Sequence, residues 1–209
     1  MSTKTQTTEP RRPRRRGPYA KTAAVRTAIL DAALDVFAES GYRSGSLREV
    51  ADRVGMSEAG VLHHFPSKSA LLADVLDRRD VRALEVVPFD QEDGEATLRG
   101  LVRLAEYNAT IPGIVKLFAV LSTEATSPDH PAHGYFIARY ARTRGNLRHA
   151  FASLAAQGRL ADGVSPERAA IATIAMMDGL QVQWLLEPGI LDMAAQLRRF
   201  FQGFVDIDF

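Results

Sequence analysis

The chain has 209 residues, 46% of them hydrophobic and none of them cysteine. That leaves room for one or two domains with a real apolar core, and it excludes a disulfide frame and any thiolate metal site. The formal net charge of +1 hides an asymmetry, since residues 1–68 carry 12 Lys and Arg against 7 Asp and Glu while residues 69–209 carry 14 against 18. A basic end on a mildly acidic body is the electrostatic footprint of a protein that meets a polyanion.

Residues 1–18 are polar, proline-containing and without periodicity, and are expected to be a disordered basic arm. They have no apolar stretch of the kind a secretory signal needs, and no run of about 18 apolar residues is evident further on, so no transmembrane helix is expected. A first helix is predicted over 22–39, with Val25, Ile29, Ala32, Ala33, Val36 and Phe37 on one stripe and Gly41 as its C-cap.

Residues 46–68, SLREVADRVGMSEAGVLHHFPSK, are the most informative stretch. Ser46 and Glu49 form an S-x-x-E capping box, in which hydroxyl and carboxylate each satisfy an orphaned backbone N–H. Leu47, Val50, Ala51 and Val54 then repeat at i, i+3, i+4, i+7, the apolar face of a two-turn helix. Gly55 permits a sharp turn, Met56 is a buried hinge, and Ser57 caps a second short helix. Val61 and Phe65 point that helix into the core, leaving Ser57, Glu58, Gly60, His63 and His64 on or near the outer surface. A short helix held on one face and polar on the other suits a DNA major groove.

Ser67 caps a fourth helix carrying Leu71, Leu72, Val75 and Leu76, which is expected to reach about residue 84. Residues 88–94, PFDQEDG, form a polar break and a domain boundary. Further helices are predicted near 95–109, 113–124, 132–157, 166–186 and 191–205, with Ser165-Pro166 as a clear start. Strand-like alternation is lacking. The expectation is an all-α chain with a basic arm (1–18), a helix-turn-helix domain (19–68), a connecting helix (69–87) and a helical effector-binding and dimerisation domain (88–209).

Residues 24–76 resemble the N-terminal domain of the TetR family of bacterial transcriptional regulators. The likeness rests on FAESGYRSGS, LREVADRVG, the capping Ser57 and the closing H-F-x-x-K of His64, Phe65 and Lys68. It implies a homodimer on a near-palindromic double-stranded DNA operator, released by a small-molecule effector bound in the C-terminal domain. Phosphate anchors implied at corresponding positions are Lys68, Ser46, the backbone N–H of Leu47, Lys21 and Arg26, and the chemistry of ammonium groups and helix N-termini agrees. Candidate base contacts are Glu58, Ala59, Gly60, Leu62, His63 and His64, with Arg48 beside them. Here the chain departs from the family: members often carry Thr-Leu-Tyr-Tyr-His-Phe where this chain has Gly60-Val61-Leu62-His63-His64-Phe65. Gly60 removes a hydroxyl and about 1 kcal/mol of helix propensity, and Leu62 can touch a thymine methyl but cannot hydrogen-bond a base. Arg14, Arg15 and Arg16 of the arm are therefore expected to add minor-groove contacts.

In the body, 166–186 is apolar on nearly all sides and is expected to be buried all round. Ile174, Met177 and Leu185 on it, with Leu197, Phe200, Phe201 and Phe204 on the last helix, are the expected dimer interface. Tyr107, Phe118, Glu124, Tyr140, Met177, Gln181 and Trp184 are candidates to line a pocket for a mostly apolar ligand. The adjacent His63 and His64, and His130-x-x-His133, are expected to be ordinary surface or pocket-lining histidines and not metal ligands. No cofactor is expected. The chain has no G-x-S-x-G elbow, no phosphate-cradling glycine loop and no H-E-x-x-H pair, which speaks against an enzyme. The expected function is a cytoplasmic, ligand-responsive repressor. The alternative is a helical interaction protein whose polybasic arm binds polyanions or membranes non-specifically, which no lipidation signal or basic amphipathic helix supports.

Overall fold

The computed structural model describes residues 18–87 and 93–209, with side-chain surroundings from residue 22 onward. The arm with Arg14, Arg15 and Arg16, the side chain of Lys21, and residues 88–92 of the predicted break lie outside the described residues. Helix α1 (Pro18–Ser44) buries Ile29, Ala33, Val36 and Phe37, the stripe its sequence sets out. It runs past residue 39 because Gly41 breaks it without ending it. At φ 72°, a conformation glycine adopts without steric cost, the backbone kinks and then turns once more. The Tyr42 N–H freed by the kink donates to the Glu124 carboxylate at 3.0 Å.

Helix α2 (Leu47–Val54) has the predicted capping box: Glu49 N–H donates to Ser46 Oγ at 3.1 Å, and Ser46 N–H to the Glu49 carboxylate at 2.7 Å. Gly55 closes it in the left-handed region (φ 67°), with Met56 N–H returning to Ala51 C=O at 2.9 Å. Met56 is half-buried rather than buried. Helices α3 (Glu58–His64) and α4 (Lys68–Val86) start on Ser57 and Ser67, whose hydroxyls accept from Gly60 and Ala70 N–H at 3.1 Å.

The body consists of α5 (Gly94–Ala109), α6 (Pro112–Glu124), α7 (His133–Ala156), α8 (Pro166–Leu186) and α9 (Met193–Gln202). The last helix stops short of residue 205 because the chain instead pairs with the α7–α8 loop. Ala161 N–H donates to Phe204 C=O and Asp206 N–H to Arg159 C=O, both at 2.9 Å, around a single antiparallel bridge between Leu160 and Val205.

Two apolar cores result. One joins α1–α4 to α6 and the start of α7 through Phe37, Phe65, Leu71, Leu117, Leu121 and Phe136. The other joins α5, α7, α8 and α9 through Leu98, Leu147, Phe151, Leu197 and Phe201. The head is therefore not packed apart from the body, since α6 lies in its core. Where α5 begins, it presses against α7. A Cβ on Gly94 would sit 2.2 Å from the Ala150 carbonyl oxygen, a backbone atom that cannot rotate away. Gly94→Ala should thus lower stability by about 1–3 kcal/mol despite alanine's better helix propensity. Thermal denaturation checks this, and an unchanged or raised midpoint would contradict the close approach.

Helix α8 departs most from expectation. Within one chain it buries only Ala169, Ala170, Thr173 and Leu180, while Ile171, Val182 and Leu186 are 50%, 46% and 80% exposed. By length and composition it is also apolar enough to cross a bilayer, with a mean hydropathy of 1.3, although Thr173, Asp178, Gln181 and Gln183 keep it from being an unbroken apolar run. Alongside its apolar residues α8 carries Asp178, whose carboxylate accepts from Tyr140.

Candidate nucleic-acid interface and effector cavity

The geometry of α3 follows from what pins it. Val61 and Phe65 are sealed in the first core. Arg26 reaches across from α1, lays its guanidinium 4.2 Å over the Phe65 ring, and donates to His64 C=O at 2.7 Å and to Asp74 at 2.5 Å. The Arg26 guanidinium, expected as a phosphate anchor, is thus already engaged in fastening the end of α3 to α1 and α4.

What α3 leaves outward is Glu58, Ala59, Leu62 and His63, all exposed, with His64 half-buried and its ring edge-on to His63 at 5.5 Å. Ser57, although exposed, spends its oxygen on the cap. Gly60 is half-buried, and a Cβ there would meet the Met56 methyl at 3.0 Å and Ser57 Oγ at 3.4 Å. Its lack of a side chain therefore makes room for Met56 within the turn.

Arg48 is exposed on α2, and Ser46 with the first turn at Leu47 is half-buried. Lys68 is drawn inward: its ammonium lies 4.4 Å over the Tyr42 ring and donates to Arg43 C=O at 3.2 Å. Burial lowers its pKa from the usual lysine value, against the opposing pull of Glu124 and Glu49.

A cavity of about 560 Å³ opens in the body between α4, α5, α6, α7 and α8. Of the seven residues read as lining candidates, it brings together Phe118, Tyr140, Met177 and Gln181. The other three lie elsewhere for identifiable reasons. Tyr107 is at the solvent-facing end of α5, its carbonyl accepting from the Thr110 hydroxyl. Trp184 packs on the second core. Glu124, past the cavity end of α6, is committed to the Tyr42 N–H, with buried His130 Nε2 at 3.5 Å.

The expected dimer residues divide similarly. Ile174 and Met177 face the cavity. Leu197 and Phe201 are fully buried in their own chain's core, where Phe201 meets Phe151, so they are unavailable to a partner. Leu185, Phe200 and Phe204 are half-buried, the last two edge-on at 4.9 Å.

The cavity also has a polar end that sequence reasoning missed. Asp80 on α4 accepts from Arg142 at 2.8 Å and from Arg139, both on α7, and pairs with its neighbour Arg79 at 3.4 Å. Arg79 and Arg139 lie over the Phe118 ring, 4.1 and 5.1 Å from its centroid. Burial, reinforced by Arg139, pushes the Arg79 pKa down to about 10, with Asp80 opposing. Across the cavity, the Tyr140 hydroxyl donates to Asp178 at 2.9 Å. Desolvation, then the Asp178 charge, raises the Tyr140 pKa to about 12, and desolvation also raises the Asp178 carboxyl.

Comparison with known proteins agrees at both ends of the chain. Residues 29–75 match the family of bacterial regulatory proteins of the tetR type, and residues 119–206 match the C-terminal domain of BetI-type transcriptional repressors. The chain belongs to the TetR family. This TetR-family chain is 43% identical over 103 residues to the transcriptional regulator RutR of Escherichia coli, a stretch covering 47% of this chain and 48% of that protein. It is 39% identical over 81 residues to the repressor KstR2 of Rhodococcus jostii, covering 37% and 39%. The matches thus span half or less of the length of these relatives. Among solved structures, NalD of Pseudomonas aeruginosa, a repressor of a multidrug efflux pump, superposes with a TM-score of 0.68 at 26% identity, covering 89% of this chain and 98% of that one. A regulator from Saccharomonospora viridis in complex with choline shares the fold at 24% identity (TM-score 0.69, 88% and 100% covered). The TetR family is one of transcriptional regulators.

Proposed function

We propose that the chain is a homodimeric transcriptional repressor that binds a near-palindromic operator through α3 and is released by a small molecule in the cavity. The observation that carries the reading is the division of α3: Val61 and Phe65 lock one face, while Glu58, Ala59, Leu62 and His63 stand free on the other. Such a helix presents base-reading groups at a fixed angle to the duplex. Ser46, the Leu47 N–H, Arg48, Lys21 and the arm arginines are the proposed backbone and minor-groove contacts around it, joined by Lys68 once it swings off Tyr42. The proposed site of action is the cytoplasm, with no catalytic role.

The route from cavity to head is short. Helix α6 lines the cavity with Phe118, Ala119, Ser122 and Thr123, and its next residue, Glu124, holds the kink of α1. Helix α4 lines it with Arg79 and Asp80 and begins beside α3. A ligand that prefers a different spacing of α4 and α6 therefore shifts the head, and it releases DNA to the extent that it binds the DNA-incompetent spacing more tightly. Choline, the ligand of the Saccharomonospora neighbour, is a poor guide to this chain's effector, because two guanidiniums already cover the Phe118 face that a quaternary ammonium would use.

A mobility-shift assay on DNA flanking the coding region tests the reading. Saturable, sequence-specific retardation is expected, weakened roughly tenfold for that site by His63→Ala. Binding that is indifferent to sequence, or directed only to anionic lipid, would reject it in favour of a polyanion-binding module.

A further inference from the structure

The charge around the cavity is unbalanced in a way that specifies its ligand. Five charged residues line it, Arg79, Arg139 and Arg142 against Asp80 and Asp178. The three arginines converge on the single carboxylate of Asp80, which is only 13% exposed. A carboxylate can balance one guanidinium, so three guanidiniums against Asp80 and Asp178 leave an excess of one positive charge around the cavity, carried by the arginine end. Arg79 and Arg139 are half-buried, their side chains only 10% and 21% exposed, so water screens that excess poorly. Each guanidinium carries five N–H donors, and Asp80 can accept only about four hydrogen bonds in all. The Asp80 carboxylate therefore cannot take all the donors of the three arginines. Much of the remaining lining is apolar: Leu84 and Val87 follow Asp80 along α4, with Leu101 and Leu104 on α5 and Ile174 and Met177 on α8.

Resting on the regulator reading above, we propose that the effector is a carboxylate carried on an apolar body, its oxygens bound by Arg79, Arg139 and Arg142 and its body lying along α5 and α8. The planar fork of arginine matches a carboxylate in two-point contact. A bound monoanion also offsets the repulsion that Arg139 exerts on Arg79. A cation is disfavoured twice, by that positive excess and by the covering of Phe118. Asp178, the remaining acid, is exposed and its carboxylate already accepts from the Tyr140 hydroxyl. The carboxylate would sit against α4 next to Asp80, the element that joins the cavity to the head.

Isothermal titration of the full-length protein with octanoate and dodecanoate, against octyltrimethylammonium and dodecyltrimethylammonium, separates headgroup from tail. At least one carboxylate should bind tenfold or more tightly than the ammonium of equal tail length. Arg142→Gln, at a half-exposed position that folding should tolerate, should reduce that preference about tenfold without weakening the ammonium, and Arg139→Gln should do the same. Equal affinity for the two headgroups, preference for the ammonium, absence of carboxylate binding, or a preference untouched in both variants overturns the proposal. Mobility shift on the same samples keeps the two readings apart. Specific retardation with no carboxylate preference rejects only the ligand class, whereas carboxylate binding with no specific retardation rejects the regulator.

Discussion

Phe65→Ala is expected to lower the unfolding free energy by about 3–5 kcal/mol and to abolish operator binding well before the chain unfolds. The ring is 1% exposed, at the junction where α3 ends, and three fastenings meet on it. It fills the first core beside Val61, carries the Arg26 guanidinium on its face, and sits on the residue whose N–H closes α3 onto Val61 C=O at 2.9 Å. Alanine leaves a cavity, and it leaves Arg26 without the surface that aims it at His64 C=O. Urea denaturation should show the midpoint fall. At a loss of that size, thermal unfolding should begin roughly 10 °C lower. The control is Leu62→Ala, three residues earlier and 39% exposed. It should change stability by no more than about 0.5 kcal/mol while altering operator preference. A Phe65→Ala loss below about 1 kcal/mol, or a Leu62→Ala loss matching it, would mean that α3 is not held by its inner face.

The contrast between those neighbouring positions also shows why the head could be read from sequence. Its structure is set by local rules: capping boxes close over three residues, an apolar face repeats every three or four, and a left-handed turn calls for glycine. Ser46, Glu49, Gly55, Ser57 and Ser67 all do in the structure what their spacing implies. The kink at Gly41 was half legible. Glycine announced a break, but continuation of the helix beyond it depends on Glu124, which is 82 residues away along the chain. Arg26 shows the same limit, because a basic residue on a helix facing DNA reads as a phosphate anchor until Asp74 and the end of α3 are seen beside it.

The cavity was legible in Phe118, Tyr140, Met177 and Gln181, but not at its charged end. Phe118, Tyr140 and Met177 stand out because large apolar side chains near polar ones are uncommon inside a bundle. Arg79, Asp80, Arg139 and Arg142 did not stand out, since a charged residue on a helix is on average solvated. Nothing in the spacing of α4 and α7 tells that these four converge. Residues of α8 and α9 misled for a related reason. Periodicity says that Leu197 and Phe201 are buried, but not whether their own chain or a second copy covers them, and here their own chain does. Uncovered apolar surface lies instead on one stripe of α8, among other places in the described residues.

That stripe sets the second large effect. Ile171, Ala175 and Leu186 follow helical spacing along one side of α8 and are exposed in the single chain, as is Val182 on the same side, which also lines the cavity. Apolar surface left open this way on a helix that already forms part of a core makes this stripe the candidate face for the proposed dimer. A double substitution, Ile171→Lys with Leu186→Lys, should therefore leave each chain folded, because neither side chain contributes to its own core, yet prevent pairing. Closing a second copy over two ammonium groups would strip their water without supplying partners. Using the same charge at both positions matters, since opposite charges could pair across an antiparallel contact and rescue the dimer. Sedimentation should show a shift from dimer to monomer with little change in circular dichroism. Operator affinity should then fall by about 10²–10⁴, the gain normally supplied by tethering two heads to two half-sites. The added lysines make that fall more telling, because extra positive charge by itself strengthens attraction to DNA. If the variant still sediments as a dimer and binds its operator undiminished, the pairing face is not α8, and the spacing of the two heads would have to be set from elsewhere on the body.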